Sequence, residues 1–329
     1  MRAVVVREFG PVDAHRVEEF PDPAAGPGQV LINVAAVALN FSDRLMIQGI
    51  YQVKPDRPFV PGRDAAGVVA AVGDGVTRCA PGDRVLAVVT RGAYAEKLAA
   101  DESHCWVIPD DMDFTTAAAM GNVYLTAYLA AIERGRMKSG ETVLVTGASG
   151  GVGLACVDIA RARGGRVIAG VTSADKGALA QAHGAAHVVD LSADDLRAAL
   201  RDEISEATNG AGVDLVLDVV GGDVFDAALR TLSMNGRLIS IGFASGRVPE
   251  AKANYLLLKN ISVGGAYVDP HIADAPGRVA AAFGEMFDMY RRGEIHPEIM
   301  AIRPLDEFAS ALGLFDARGV RGKIVLTVD

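Results

Sequence analysis

The chain has 329 residues, half of them hydrophobic and 22% charged, which at ~150 residues per domain suggests about two domains with ample material for packed cores. Its 32 basic residues against 41 acidic ones leave a net charge of −9, and no Lys/Arg run offsets it, which disfavours nucleic acid as a partner. Cys79, Cys105 and Cys156 are widely spaced and odd in number, so they build neither a disulfide framework nor a CxxC metal site and read as small apolar fillers.

Charge returns within Met1–Glu8 and no apolar run approaches the ~18 residues needed to span a bilayer. The expectation is a soluble, cytoplasmic chain without a signal peptide. Up to about residue 122 the apolar runs are short: Ala3–Val6, Val30–Leu39, Ala65–Val72 and Val85–Val89. They are broken by turn chemistry such as Gly26-Pro27-Gly28, Gly73-Asp74-Gly75 and Pro81-Gly82-Asp83, the texture of a β-rich barrel or sandwich. From Val123 the period lengthens. Residues 123–135 read as helix, and strands Glu141–Thr146, Arg166–Val171, Ala186–Val189, Val213–Val219, Arg237–Ile241 and Asn260–Gly264 alternate with helical stretches. Strands apolar at consecutive positions and separated by helices predict a doubly wound α/β domain with a six-stranded parallel sheet. Beyond residue 265 come helices at about 275–292 and 305–317 and a strand Lys323–Val328. These residues are few for an independent domain and are expected to complete the N-terminal unit.

The strongest local signal is Val143-Leu144-Val145-Thr146-Gly147-Ala148-Ser149-Gly150-Gly151-Val152-Gly153. An apolar strand enters a glycine-rich turn that opens a helix, the pattern of a dinucleotide loop. Gly147 permits the tight turn, and Ser149, Gly150, Gly151 and Val152 are the residues expected to meet a pyrophosphate. Gly153 lets the helix pack on the strand, and the unpaired N–H groups and dipole at the helix start favour the anion. About twenty residues on, an NAD site usually ends its second strand in Asp or Glu. Here the strand ends in Thr172-Ser173-Ala174-Asp175-Lys176. Two hydroxyls and an ammonium suit a ribose 2′-phosphate, which favours NADPH; the plainer reading makes Ser173 only the N-cap of the next helix.

Taken together, these motifs resemble the medium-chain dehydrogenase/reductase superfamily and, within it, the zinc-free quinone oxidoreductases. The resemblance runs through Ala38-Leu39-Asn40-Phe41-Ser42-Asp43, Gln48-Gly49-Ile50-Tyr51, Pro61-Gly62-Arg63-Asp64, Pro81-Gly82-Asp83-Arg84-Val85 and Gly92-Ala93-Tyr94-Ala95-Glu96. It continues through Thr126-Ala127-Tyr128, the Gly147–Gly153 loop, Asp218-Val219-Val220-Gly221-Gly222 and Gly322-Lys323-Ile324-Val325-Leu326. It implies a GroES-like catalytic domain over 1–122 and 266–329, with a Rossmann domain inserted at 123–265. It also implies a homodimer formed through the last Rossmann strand, which would cover an open sheet edge. Where zinc alcohol dehydrogenases of the superfamily carry a Cys and a Gly-His-Glu segment, this chain has Asn40/Ser42/Asp43 and Gly62-Arg63-Asp64. Without thiolate or imidazole ligands a tetrahedral zinc site is not expected.

Metal-free hydride transfer suits an electrophilic small-molecule acceptor, a quinone first and a conjugated enone or enoyl thioester as the alternative. The protein's task is then to hold that acceptor and hydrogen-bond the oxygen that gains charge. The resemblance makes Tyr51 the candidate donor, and a phenol is protonated at neutral pH. Asn40 is the second catalytic candidate, equally readable as a strand-end turn residue. The resemblance further puts Thr126 against the nicotinamide ribose, Tyr267 and Val268 beside the carboxamide and Lys323 near the pyrophosphate. Val220, Gly242 and Phe243 fall at strand ends that complete the cleft, with backbone contacts expected. Asp43 and Asp64 read as salt-bridge partners of Arg44 or Arg63, and His183 and His187 as solvated. A binding role without turnover is a further alternative, since zeta-crystallin belongs to the same family.

Overall fold

The computed structural model describes residues 1–317 and 319–328. Arg318 and Asp329, which the sequence assigns to the first domain, lie outside the described residues. In chain order the elements are β1 (Arg2–Val4), β2 (Val17–Glu19), β3 (Gln29–Ala38), α1 (Phe41–Ile47), β4 (Asp64–Val72), β5 (Arg84–Val88), β6 (Lys97–Asp101), β7 (Cys105–Val107) and α2 (Phe114–Tyr128). There follow β8 (Thr142–Thr146), α3 (Gly151–Ala162), β9 (Arg166–Val171), α4 (Ala174–Ala182), β10 (His187–Asp190), α5 (Leu196–Ala207), β11 (Val213–Asp218), α6 (Gly222–Thr231), β12 (Leu232–Ser240), α7 (Ala253–Lys259) and β13 (Ser262–Gly265). The last are α8 (Val268–Asp274), α9 (Pro276–Arg291), β14 (Ile299–Pro304), α10 (Phe308–Gly313) and β15 (Lys323–Thr327).

Packing divides the chain into two units, Met1–Asn122 with Asp269–Phe287 and Pro297–Asp329, and Val123–Val268 with Asp288–His296. The sequence boundaries differ from these at 266–268, which fall in the second unit, and in the segment 288–296. That segment goes with the second unit because Asp158 accepts from His296 N at 2.8 Å and the Arg161 guanidinium donates to the Glu294 carbonyl.

In the first unit a seven-stranded sheet runs β14-β15-β3-β4-β5-β7, with β6 also paired to β3. β3 is its organising strand. Val30, Ile32 and Val34 are buried while Leu31 and Asn33 are less so, the period-two pattern of a strand with one core face. Gly67 of β4 faces the bulge at Val34/Ala36. A Cβ there would lie 2.0 Å from the Asn33 carbonyl oxygen, so close backbone approach demands glycine. β15 pairs antiparallel with β3, which returns the C-terminal segment to the N-terminal sheet. β14 is not evident in the sequence because its exposed alternating residues end in Pro304. The stretch expected as one helix over 305–317 is α10 between two 3-10 turns, Leu305–Glu307 and Leu314–Ala317.

In the second unit six parallel strands lie in the order β10-β9-β8-β11-β12-β13. Val143, Leu144 and Val145 of β8 are fully buried, as a strand covered on both faces requires. Between β8 and β11 the strand order reverses. The helix expected over 123–135 begins earlier, at Phe114, is kinked at Gly121 (φ −18°, ψ −114°), and passes into a π-helical turn over Leu129–Arg134.

Candidate functional site

At the carboxyl end of β8 the chain turns at Gly147, whose φ of +64° favours glycine, and enters α3 with Gly150 as N-cap and no side chain capping it. A Cβ on Gly153 would lie 2.1 Å from the Gly147 carbonyl oxygen, so this glycine is fixed by helix-on-strand packing. Gly150 is different: its φ of −81° is ordinary and a Cβ would meet only the Gly147 oxygen, at 3.7 Å. The protein's own packing leaves that face open. An open backbone face at an uncapped helix start fits a pyrophosphate.

The end of β9 forms the neighbouring corner, a cavity of about 370 Å³ lined by Thr172, Ser173, Asp190, Ser192 and Glu203 among others. The Lys176 ammonium donates to Thr172 Oγ1 at 3.2 Å, so one turn of α4 brings these two predicted residues together. Ser173 is the N-cap of α4, yet its hydroxyl makes no cap bond. The acids in this corner are engaged locally. Asp190 Oδ1 accepts from the Ser192 hydroxyl at 2.7 Å, and Glu203 Oε2 from Asp190 N at 3.0 Å.

At the end of β11, where backbone contacts from Val220 are expected, the backbone of Val219 and Val220 is bonded within the protein. Their N–H groups go to Thr146 Oγ1 and Asp218 Oδ1, at 3.1 and 3.2 Å. Their carbonyls accept from Ala244 N and Ser245 N, at 3.2 and 2.9 Å. What Val220 offers is its isopropyl group, which lies 3.1 Å from where a Gly147 Cβ would be. Gly242 N turns toward the Asp218 carbonyl at 3.4 Å. Phe243 and Tyr267 expose much of their rings, at 41% and 45%, whereas Val268 and Thr126 are buried.

In the first unit, Asn40 and Lys323 meet in a buried polar cluster that sequence reasoning missed. Lys323 Nζ donates to the Leu39 carbonyl at 2.7 Å and to Asn40 Oδ1 at 2.8 Å, and lies 3.9 Å from Asp64 Oδ2. Asn40 Nδ2 donates to Asp64 Oδ2 at 2.8 Å, and Asp64 Oδ1 accepts from Asn122 N at 2.7 Å. Asp43 Oδ2 accepts from Asn40 N and from the Tyr94 hydroxyl, both at 2.9 Å. Burial pushes the Asp43 carboxyl up to about 6 against the pull of those two donors. It raises Asp64 as well, opposed by Lys323 and Asn40, and it lowers Lys323. The Lys323 ammonium is therefore held by β3-end groups, and a pyrophosphate contact would require it to leave them. The signal for this cluster was the spacing Asn40-x-x-Asp43, an N-cap followed three residues later by a carboxylate, which also marked the unanticipated α1.

Two further expectations are corrected here. Arg63 pairs with Asp269 of α8 rather than with Asp64, because α8 delivers a carboxylate to the buried guanidinium. His183 is buried, not solvated: its Nδ1 sits 2.8 Å from Asp158 Oδ1, and Asp158 Oδ2 accepts from the Tyr124 hydroxyl at 2.6 Å. His187 stays partly exposed, with Nε2 2.5 Å from the Arg166 guanidinium. Tyr51 is half-buried against the first-unit core, its N donating to the Leu45 carbonyl at 3.2 Å. A zinc ion does not fit the Asn40/Arg63/Asp64 region, since the ammonium of Lys323 and the guanidinium of Arg63 already supply its positive charge. Among the described residues no group of three or more His, Cys, Asp or Glu is arranged to hold a metal ion.

Comparison with known proteins agrees with this architecture. Residues 26–110 match the alcohol dehydrogenase GroES-like domain family and residues 151–283 the zinc-binding dehydrogenase family. The chain is 36% identical over 328 residues to a quinone oxidoreductase-like protein 2 homolog of Nematostella vectensis, covering 99% of this chain and 88% of that protein. It is 31% identical over 347 residues to the human synaptic vesicle membrane protein VAT-1 homolog, covering 99% and 86%. Among solved structures, a mycobacterial quinone oxidoreductase superposes with a TM-score of 0.91 at 33% identity over the whole of both chains. The Escherichia coli quinone oxidoreductase, solved with NADPH, superposes with a TM-score of 0.91 at 27% identity, again over the whole of both chains.

Proposed function

The chain belongs to the quinone oxidoreductase family of the medium-chain dehydrogenase/reductase superfamily, and from that premise we propose that it is an NADPH-dependent reductase whose acceptor is a quinone. The observation that carries the cofactor is the Thr172–Lys176 corner at the end of β9, with an ammonium and hydroxyls where an NAD site would place a carboxylate. The ammonium and hydroxyls would hold the 2′-phosphate, and the open Gly150–Val152 backbone the pyrophosphate. NADPH, when bound, supplies the hydride.

The chain's own contribution is to bind, orient and donate. Tyr51, on the loop after α1, donates a hydrogen bond from its hydroxyl to the acceptor oxygen that gains charge. Asn40, with its amide committed to Lys323 and Asp64, holds the start of α1 and so the base of the Tyr51 loop. Thr126, Tyr267 and Val268 are proposed for the nicotinamide end of the cofactor. The edge strand β13 and the exposed Leu257 and Leu258 of α7, at 82% and 72% exposure, are proposed to pair with a second copy of the chain.

The test is oxidation of NADPH, with NADH alongside, against a naphthoquinone, a simple enone and crotonyl-CoA. Turnover of the quinone with NADPH preferred is expected. Preference for the enone or the thioester would move the assignment to reduction of conjugated C=C bonds. Tight NADPH binding with no turnover of any of the three would point to a binding role.

A further inference from the structure

The crevice between β8 and β11 contains a side-chain pair that the proposed reaction does not use. Thr146 and Asp218 are register partners on these adjacent parallel strands, and here the strand order of the sheet reverses. Open α/β sheets bind their ligands at such switch points. Both side chains are fully buried. Thr146 Oγ1 donates to Asp218 Oδ1 at 2.5 Å and accepts from Val219 N at 3.1 Å. Asp218 Oδ1 accepts from Val220 N at 3.2 Å, and Oδ2 from Gly221 N at 3.1 Å.

A buried carboxylate satisfied by a hydroxyl and N–H groups, rather than by a cation, is a costly way to close a turn. Its placement gives a reason. Two helices begin at this crevice, α6 after Gly221 and α3 after Gly150. Each start carries partial positive charge. Asp218 fills the approach to α6 with a carboxylate whose charge burial opposes and the Thr146, Gly221 and Val220 donors support, while no side chain caps α3.

We propose that Thr146 and Asp218 are a positioning pair for the dinucleotide. They freeze the Val219–Gly221 turn with its polar groups facing inward, press the Val220 side chain toward Gly147, and leave the start of α3 as the anion end of the crevice. The inference rests on the reading of Gly147–Gly153 as a dinucleotide loop. Neither residue touches the reacting atoms.

Isothermal titration calorimetry on the full chain tests it, with NADPH and with adenosine 2′-monophosphate, which carries the adenosine end and its 2′-phosphate but no phosphate on the 5′ carbon and no nicotinamide. Thr146→Val removes two hydrogen bonds at nearly constant volume. It is expected to weaken NADPH about tenfold and to leave adenosine 2′-monophosphate within about twofold. Thr146→Ser, which keeps the hydroxyl, is expected to restore NADPH. Asp218→Asn, which keeps an oxygen toward Thr146 but turns an amide against Gly221 N–H, is expected to show the same selective loss, so the proposal does not depend on one variant folding. In steady state the loss is expected in KM and not in kcat. Unchanged NADPH affinity in Thr146→Val, equal weakening of both ligands, or failure of Ser to restore binding would each overturn the positioning role. The underlying loop reading fails separately, if the unmutated chain binds NADPH no more tightly than adenosine 2′-monophosphate.

Discussion

Asp43→Asn is expected to stabilise the protein, and to do so only where the native carboxyl is ionised. Asp43 is fully buried; Oδ2 accepts from Asn40 N and the Tyr94 hydroxyl, while Oδ1 has no partner among the described residues. Asparagine keeps an oxygen for both donors and places its amide where Oδ1 stands, so it mimics the protonated acid. Burial raises the folded carboxyl from its ordinary 3.8 to about 6. Between those values the native state binds more protons than the unfolded chain, so this group makes stability fall as pH rises from about 4 through about 6. Each pH unit between the unfolded and folded pKa is worth ~1.4 kcal/mol, so the ionised group costs about 3 kcal/mol at pH 8 and less than about 1 kcal/mol at pH 4. Asparagine removes that cost. For a cooperative unit of this size, the pH 8 gain corresponds to a rise in Tm of about 6–12 °C. Differential scanning calorimetry of both proteins from pH 4 to pH 8 should therefore give curves that diverge upward. An offset independent of pH, or a lower Tm for the variant at pH 8, would refute the assignment of the cost to a buried charge.

Other perturbations probe the second unit. Lys176→Glu is expected to weaken NADPH by about 100-fold or more, because a charge-assisted hydrogen bond to the 2′-phosphate gives way to repulsion, with NADH changed only a few-fold; parallel titrations of the two cofactors check this, and equal losses would sink the 2′-phosphate assignment. Gly153→Ala puts a Cβ 2.1 Å from the Gly147 oxygen and 2.8 Å from the Ala148 Cα. These are backbone atoms, so α3 must shift, with an expected loss of about 1–3 kcal/mol in stability and a larger relative loss of NADPH affinity, read by thermal denaturation and titration. Leu257→Glu with Leu258→Glu tests the proposed pairing: in light scattering the unmutated chain is expected to have the mass of a dimer and the variant that of a monomer, and equal masses would refute an interface through α7.

How much of this was legible in the sequence depended on how local the determining contacts are. The Gly147–Gly153 loop declares itself because strand, turn and helix start lie within one short stretch, and Gly153 is fixed by a contact six residues away. The parallel sheet was readable for the same reason: β8, β9 and β11 carry apolar runs, and each is followed by a helix within a few residues. The Asn40 cluster was not. Asn40, Asp43, Asp64, Tyr94, Asn122 and Lys323 converge from segments as far as 283 residues apart, and no spacing rule connects an ammonium on β15 to a carbonyl at the end of β3. Taken alone, Asn40 read as a catalytic amide or a turn residue, Asp43 and Asp64 as salt-bridge partners of nearby arginines, and Lys323 as a pyrophosphate contact. His183 misled in the same way, because its partner Asp158 lies on the preceding helix, a full strand away in sequence.

The buried carboxylates divide by what they hold. Asp158 draws Tyr124, His183 and the His296 N–H onto α3, and every bond it makes ties packing elements together. Asp64 accepts the N–H just past the Gly121 kink of α2, so it replaces a helical bond that the kink removes. Asp218 accepts from the N-cap N–H of α6 and from Val220 N, at the point where the sheet reverses order, and the neighbouring helix start is the one left open. A carboxylate is an expensive turn-closer when a neutral amide offers a similar oxygen. Its retention there follows if the charge itself has work in the crevice, steering an anion away from α6 and onto α3. That makes the Asp218→Asn titration the sharpest comparison in the set: a change confined to NADPH is what a steering charge requires, and a Tm loss with both affinities intact is what a turn-closer requires.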